Sequence, residues 1–164
     1  MVFAVMASFM RPEDIEHARA SAAVGNPVGK AIELAATAPH PVFLESNRRR
    51  CASLALWQDY FRTHDVFLLP TAFTPAMAHD PSEPMDARTI ATPEGARNYM
   101  DLLFWMTAAT LNGLPATVAP AGLTPGGLPV GLQIVGPYLE DATPIDLAGR
   151  LADLIGGFQP PPGY

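Results

Sequence analysis

An α/β fold is predicted by three features of the sequence. The first third has helical spacing, with proline and acidic residues where helices would begin. The remainder carries short apolar runs closed by proline or glycine. A capped amphipathic segment then ends the chain. With 164 residues the chain can bury roughly 70% of its unfolded surface without a disulfide. Hydrophobic residues make up 49% and charged residues 16%, so an unusually large share of the chain must pack against itself or a partner.

Arg11-Pro12-Glu13-Asp14 places a proline and two acids at a helix start, and Ile15 to Val24 continues that helix as far as Gly25. Asn26-Pro27 predicts a second start, with Val28, Ile32 and Ala35 or Ala36 on one side before Pro39. From Pro41 to Arg62 a longer helix is expected, with Phe43, Leu44, Cys51, Leu54, Ala55, Trp57 and Phe61 on its apolar side. Glu45 and Arg49 are spaced i,i+4 on the opposite side. Asp65 to Leu69, closed by Pro70, has the form of a buried strand.

Thr71 to Pro93 holds four prolines and reads as one long irregular loop, a kind of segment that often carries function. Asn98 to Leu111 is apolar on nearly every face, which predicts a buried helix stopped by Asn112-Gly113 and Pro115. Ala116–Pro120 and Val130–Val135 are expected as strands on either side of a turn-rich Gly122–Pro129. Val130, Leu132 and Ile134 would share one face, with Gly131 leaving room for close approach on the other. Thr143 as N-cap and Pro144 as first residue would open the last helix. Its buried stripe would be Ile145, Ala148, Leu151, Ala152 and Ile155, and Gly156-Gly157 would end it.

Charge excludes whole classes of function. A net charge of -6 with Lys30 as the only lysine cannot build the basic face that nucleic acids require. Leu102 to Asn112 is too short to span a bilayer, which takes about 20 residues. Met1 to Met10 lacks the basic region and cleavage site of a signal peptide, and Val2 to Met10 is apolar enough to be an internal segment exposed by truncation. A cytoplasmic chain is expected.

The residues offer little local chemistry. Ser8, Ser21, Ser46, Ser53 and Ser82 include none flanked by glycines in a strained elbow. Cys51, on the apolar side of its helix, reads as a buried structural thiol. His17, His40, His64 and His79 are widely spaced, so neither a metal nor a cofactor is expected. Of the four, His79, next to Asp80 in the long loop, is the most interesting; a solvated loop histidine is its ordinary reading. Arg48-Arg49-Arg50 spreads around its helix and would pair with Glu45 and Asp59. Gly126-Gly127 lies between strands, with no Gly-Lys-Ser/Thr after it, and is no phosphate loop.

Longer words in the sequence are more specific. His64-Asp65-Val66-Phe67-Leu68-Leu69-Pro70-Thr71 is followed by Ala78-His79-Asp80 and then by Asn112-Gly113-Leu114-Pro115-Ala116-Thr117-Val118-Ala119-Pro120-Ala121-Gly122. The last of the series is Gly127-Leu128-Pro129-Val130-Gly131-Leu132-Gln133-Ile134-Val135-Gly136-Pro137. In that order, from about Val42 to the end, they resemble the carboxyl-terminal part of the amidase signature family. The resemblance implies a distal piece of that fold, a mixed β-sheet flanked by helices. Residues 1–164 would form one partial domain: mainly helical over 1–63, sheet, loop and buried helix over 64–137, and a closing helix with a proline-rich tail over 138–164.

Members of the family hydrolyse carboxamide C–N bonds with a serine nucleophile, a relay serine in a cis peptide and a lysine base. Those residues lie in a Gly/Ser-rich stretch and at a lysine upstream of the region matched here. This chain has no such stretch, and Lys30 stands in an unrelated helical context. No catalytic residue carries over. What the resemblance leaves to this chain is a wall of the substrate pocket, with Pro70, Thr71, His79, Phe104, Trp105 and Met106 as candidates; plain core packing accounts for the aromatic ones at least as well. The partners it implies are a small-molecule amide and the amino-terminal half of the fold, with a homodimer as a further possibility. A catalytically dead scaffold, subunit or binding module derived from the same fold is the alternative.

Overall fold

The computed structural model describes residues 4, 7–25, 27–83, 85–160 and 163, with the side chains of 27, 28 and 86 left aside. Residues 1–3, 5 and 6 of the apolar start therefore lie outside the described residues, as do Asn26, Pro84, Pro161, Pro162 and Tyr164. The chain divides into two compact units: residues 1–52 with 79–101, and residues 53–78 with 102–164.

In the first unit, helix α1 (Pro12–Ala23) opens as its sequence requires. Pro12 needs no N–H partner in the first turn, and the Arg11 N–H donates to Asp14 Oδ2 at 3.1 Å. Helix α2 (Pro27–Thr37) packs closely on α1, because a Cβ at Gly29 would stand 2.7 Å from Ser21 Cβ. Strands β2 (Thr89–Thr92) and β3 (Gly95–Asn98) form an antiparallel hairpin with Ile90 paired to Arg97 and Ile90 buried. This corrects the single long loop expected over Thr71–Pro93. The β-branched Thr89, Ile90 and Thr92 favour a strand, and the two-residue Pro93-Glu94 turn closes it, with the Thr92 hydroxyl donating to Gly95 O at 2.8 Å.

The second unit is built on a three-stranded sheet in the order β1-β5-β4, from β1 (Phe67–Pro70), β4 (Ala116–Leu123) and β5 (Pro129–Val135). Phe67 pairs with Val135, and Val135 in turn with Ala116. Helices with a sheet make the expected α/β class. The three strands pair antiparallel, and the parallel pairing that would make the sheet mixed is not among the described residues. The short turn between β4 and β5 leaves that pair no other choice. Val135 and Leu69 join Ala109 and Leu114 in the core, with Trp57, Phe61, Phe67 and Trp105 packed around them.

Ile134 and Val135 are both fully buried, while Val130, at the other end of β5, is exposed. Burial therefore runs end to end along the strand rather than face by face. Gly131 does provide the close approach expected of it, with a Cβ there only 3.0 Å from Thr71 Cγ2.

Further expectations are corrected. The stripe on α3 (His40–Tyr60) is covered only near its end, where Leu54 and Trp57 meet the core; Phe43, Leu44, Ala55 and Cys51 are exposed. A seam of apolar residues buries only as far as the element it packs against extends. Asp59 pairs with Arg62 at 3.7 Å, while Arg48 and Arg49 both reach Glu45.

The buried helix expected over Asn98–Leu111 is instead a 3₁₀ turn (Tyr99–Leu103) and a short α4 (Thr107–Asn112), with Phe104 63% exposed between them. An all-round apolar run fixes no helical face, and at the break the Thr107 hydroxyl turns back to donate to Phe104 O at 2.6 Å. Helix α5 (Ala142–Ile155) begins before Thr143, with Asp141 in the cap position and Pro144 third and buried. Proline suits any position in a first turn whose N–H groups are unbonded. Ile145 and Ile155 of its expected stripe are exposed. Gly113 and Gly156 end α4 and α5 in left-handed conformation, as predicted, with φ of 66° and 94°.

Candidate functional site

The site candidates begin where β1 ends. Pro70 pairs with Leu132 on β5, and the chain then turns so that the Thr71 hydroxyl donates to Gly131 O at 3.2 Å. Beyond that contact the segment 71–77 folds back and, with Leu102, Leu103, Met106 and the start of β5, encloses an open recess of about 600 Å³. Of the six candidates, Thr71 and Met106 meet in this recess.

The other four stand elsewhere. Pro70 is exposed at the strand end. Trp105 turns toward the core, and its carbonyl accepts a long hydrogen bond from Gln133 Nε2 at 3.5 Å. Phe104 lies edge-on to Trp105 at 5.1 Å and faces outward. His79 belongs to the other compact unit and is exposed.

The surroundings of His79 are more ordered than a solvated loop would suggest. Asp80 accepts from the Ser82 N–H at 3.0 Å and from the Ser82 hydroxyl at 2.6 Å. Arg88, its side chain only 14% exposed, donates to Ser82 O and to Glu83 and lies over the Tyr99 ring. The Ser82 hydroxyl bond, followed by the Ser82 N–H, holds the Asp80 carboxyl below the usual carboxylate range. Because its folded value is depressed, the turn is intact above the usual carboxylate range and is released as pH falls through the lowered value. Acid titration of the Ser82 amide resonance should show this release, and Asp80→Asn should abolish the titration.

Sequence reasoning missed two of these partnerships. Gln133 gave a signal, as a lone amide in the apolar run Gly131 to Val135. Arg88 gave none, because its partners come from both sides of the 3₁₀ turn at Met85–Ala87. Ser46 donates to Val42 O at 3.0 Å in the ordinary helical back-bond, and Lys30 is exposed. Among the described residues no cluster of three His, Cys, Asp or Glu side chains stands ready for a metal, and no helix is long and apolar enough to cross a membrane.

An antiparallel sheet between helices, with an apolar recess at the end of β1, defines a scaffold-bearing α/β chain. The chain belongs to the amidase family, whose model matches residues 7–144. The match extends further toward the amino terminus than the motifs from Val42 onward indicated. The chain is 34% identical over 109 residues to the A subunit of glutamyl-tRNA(Gln) amidotransferase from Neisseria meningitidis, a match that covers 66% of this chain and 20% of that protein. Against the protein of the same name from Rhodospirillum rubrum it is 30% identical over 122 residues, covering 74% and 22%.

Among solved structures, one described as a crystal structure of amidase matches at 26% identity and a TM-score of 0.60, covering 78% of this chain and 28% of that one. A second, from a vestigial protein complex that bears on the origins of an s-triazine catabolic enzyme, matches at 18% identity and a TM-score of 0.62. It covers 96% of this chain and 34% of its own, and supports the fold alone. The chain thus spans about a fifth of the length of the curated relatives it matches.

Proposed function

We propose that this chain is the carboxyl-terminal segment of an amidase-type amidohydrolase, which converts a carboxamide and water to a carboxylate and ammonia or amine. The observation that carries this reading is the ordered set of family words from His64 to Pro137, set in a chain that spans about a fifth of its relatives. The chain supplies architecture: three sheet strands, a closing helix, and a pocket wall that includes Thr71 and Met106. Pro70 at the strand end and Trp105 in the core stand beside that wall rather than on its surface, Phe104 faces outward, and His79 lies in the other unit and is no part of it.

Nucleophile, relay and base come from an amino-terminal portion of the fold. A serine hydroxyl attacks an amide slowly unless a placed base takes its proton, and the oxyanion needs preorganised donors. The chain by itself is therefore inactive, works in the cytoplasm with that portion, and needs no cofactor.

The test is ammonia release from a panel of simple carboxamides by the purified 164-residue chain, beside a Lys30→Ala control. No turnover is expected from either. Turnover that Lys30→Ala abolishes would place a complete catalytic centre within this chain and overturn the reading.

A further inference from the structure

The recess at the end of β1 has a chemical character that the family assignment leaves open. Its lining is residues 71–77, Leu102, Leu103, Met106 and residues 129–131, and none of these is ionisable. Two threonines supply its only side-chain hydroxyls. That of Thr71 already donates to Gly131 O. Gly131 is what allows this, since a Cβ at that position would stand 3.0 Å from Thr71 Cγ2 and 3.1 Å from Val118 Cγ1. The rest of the surface is Phe73, Met77, Leu102, Leu103, Met106 and Val130, with prolines and alanines between them.

We infer that this recess binds an uncharged, apolar group, the hydrocarbon or aryl end of an amide, and rejects amides that carry a carboxylate or ammonium. This rests on the amidase reading above and narrows its substrate class. An ionised group entering the recess gives up its water and finds no counter-charge among the lining residues, whereas a hydrocarbon or aryl group loses nothing by leaving water. Volume permits the assignment, because about 600 Å³ is ample for a benzamide-sized molecule. Methionines at two points of the wall give it adaptable surface that follows the outline of such a group.

Two methionines in one recess also provide the probe. With the methionine methyl groups carbon-13 labelled in the full 164-residue chain, benzamide and succinamate would each be titrated and the methyl resonances followed. Met77 and Met106 should shift together and saturably with benzamide. Succinamate should bind at least about tenfold more weakly, a gap of about 1.4 kcal/mol. Leu103→Lys, on the wall, should narrow or reverse that preference by supplying the missing counter-charge, and a circular dichroism spectrum like that of the parent would show that the variant is folded.

Equal response to both amides, no response at Met77 and Met106, or an unaltered preference in Leu103→Lys would overturn the inference. Failure of the reading of this chain as a segment inactive by itself is a separate result. It would appear as turnover by this chain alone, whatever the methionine resonances do.

Discussion

Replacing Gly136 by alanine should cost about 2–3 kcal/mol, although it adds only one methyl group. A Cβ at Gly136 would stand 2.6 Å from Cδ and 3.0 Å from Cγ of Pro144. Real carbon pairs do not approach so closely, and Pro144 cannot turn aside. Its atoms belong to a rigid ring, it is fully buried, and it lies in the first turn of α5. Relief therefore requires α5 to move off the sheet at the place where Ile134 and Val135 are fully buried. Both tryptophans, Trp57 and Trp105, lie in the same unit, so denaturant unfolding followed by tryptophan fluorescence reports on it directly.

Gly149→Ala is the matched control. It sits within α5 with nothing within 4 Å of its would-be Cβ, so alanine there should stabilise by about 0.5–1 kcal/mol through helix propensity. Alanine at these two nearby glycines should thus act with opposite signs. If Gly136→Ala proves neutral, the docking of α5 through Pro144 is not what fixes that end of the sheet.

The elements most legible in the sequence are those whose ends carry backbone chemistry. Pro12 and Asp14 at a helix start, and Gly113 and Gly156 at helix ends, act through φ and through unpaired N–H groups, and they depend little on tertiary context. Elements defined only by apolar character are the ones that mislead. Asn98 to Leu111 has no polar face to set a helical phase, and it breaks at Phe104, whose carbonyl accepts from the Thr107 hydroxyl. The apolar stripe of α3 implies cover along its whole length, and sequence periodicity carries no information on how far a covering element reaches. The β2–β3 hairpin is hidden because prolines on either side of Thr89–Thr92 outweigh its three β-branched residues.

The site is legible to a similar extent. Thr71 and Gly131, sixty residues apart, each stand out, one from the family resemblance and one as a place of close approach. That they touch follows from the β1–β5 register, which pairs Pro70 with Leu132, and no one-dimensional pattern states that register. Phe104, Trp105 and Met106 form one group only as neighbours in sequence. In a non-helical break, successive side chains point in unrelated directions: Trp105 enters the core, Phe104 faces outward and Met106 enters the recess.

The purified chain should not behave as a monomer, and the open edge of β4 is the reason. The Gly136 N–H donates to Pro115 O at 2.9 Å, which sets the phase of the ladder. Residues 117 and 119 then direct their backbone groups toward β5, while 116, 118 and 120 direct theirs away from it. At 120 the residue is proline, so the outward edge offers the N–H groups of Ala116 and Val118 and three carbonyls. Apart from that proline and the bulge beside it, Ala116 to Leu123 carries none of the devices that blunt an edge: it is eight residues long, uncharged, and has Val118 59% and Leu123 67% exposed. Such a strand pairs with whatever strand it meets. Sedimentation of the isolated chain at micromolar concentration should therefore show dimers or larger species. Val118→Lys, which puts a charge on the edge without touching a bond to β5, should weaken that association by about tenfold or more. Leu123→Lys should act in the same direction from beyond the bulge at Pro120 and Gly122. A monodisperse chain that melts cooperatively as a monomer would mean that this edge is satisfied in some other way, and it would favour a free-standing binding module over a segment that needs the rest of its fold.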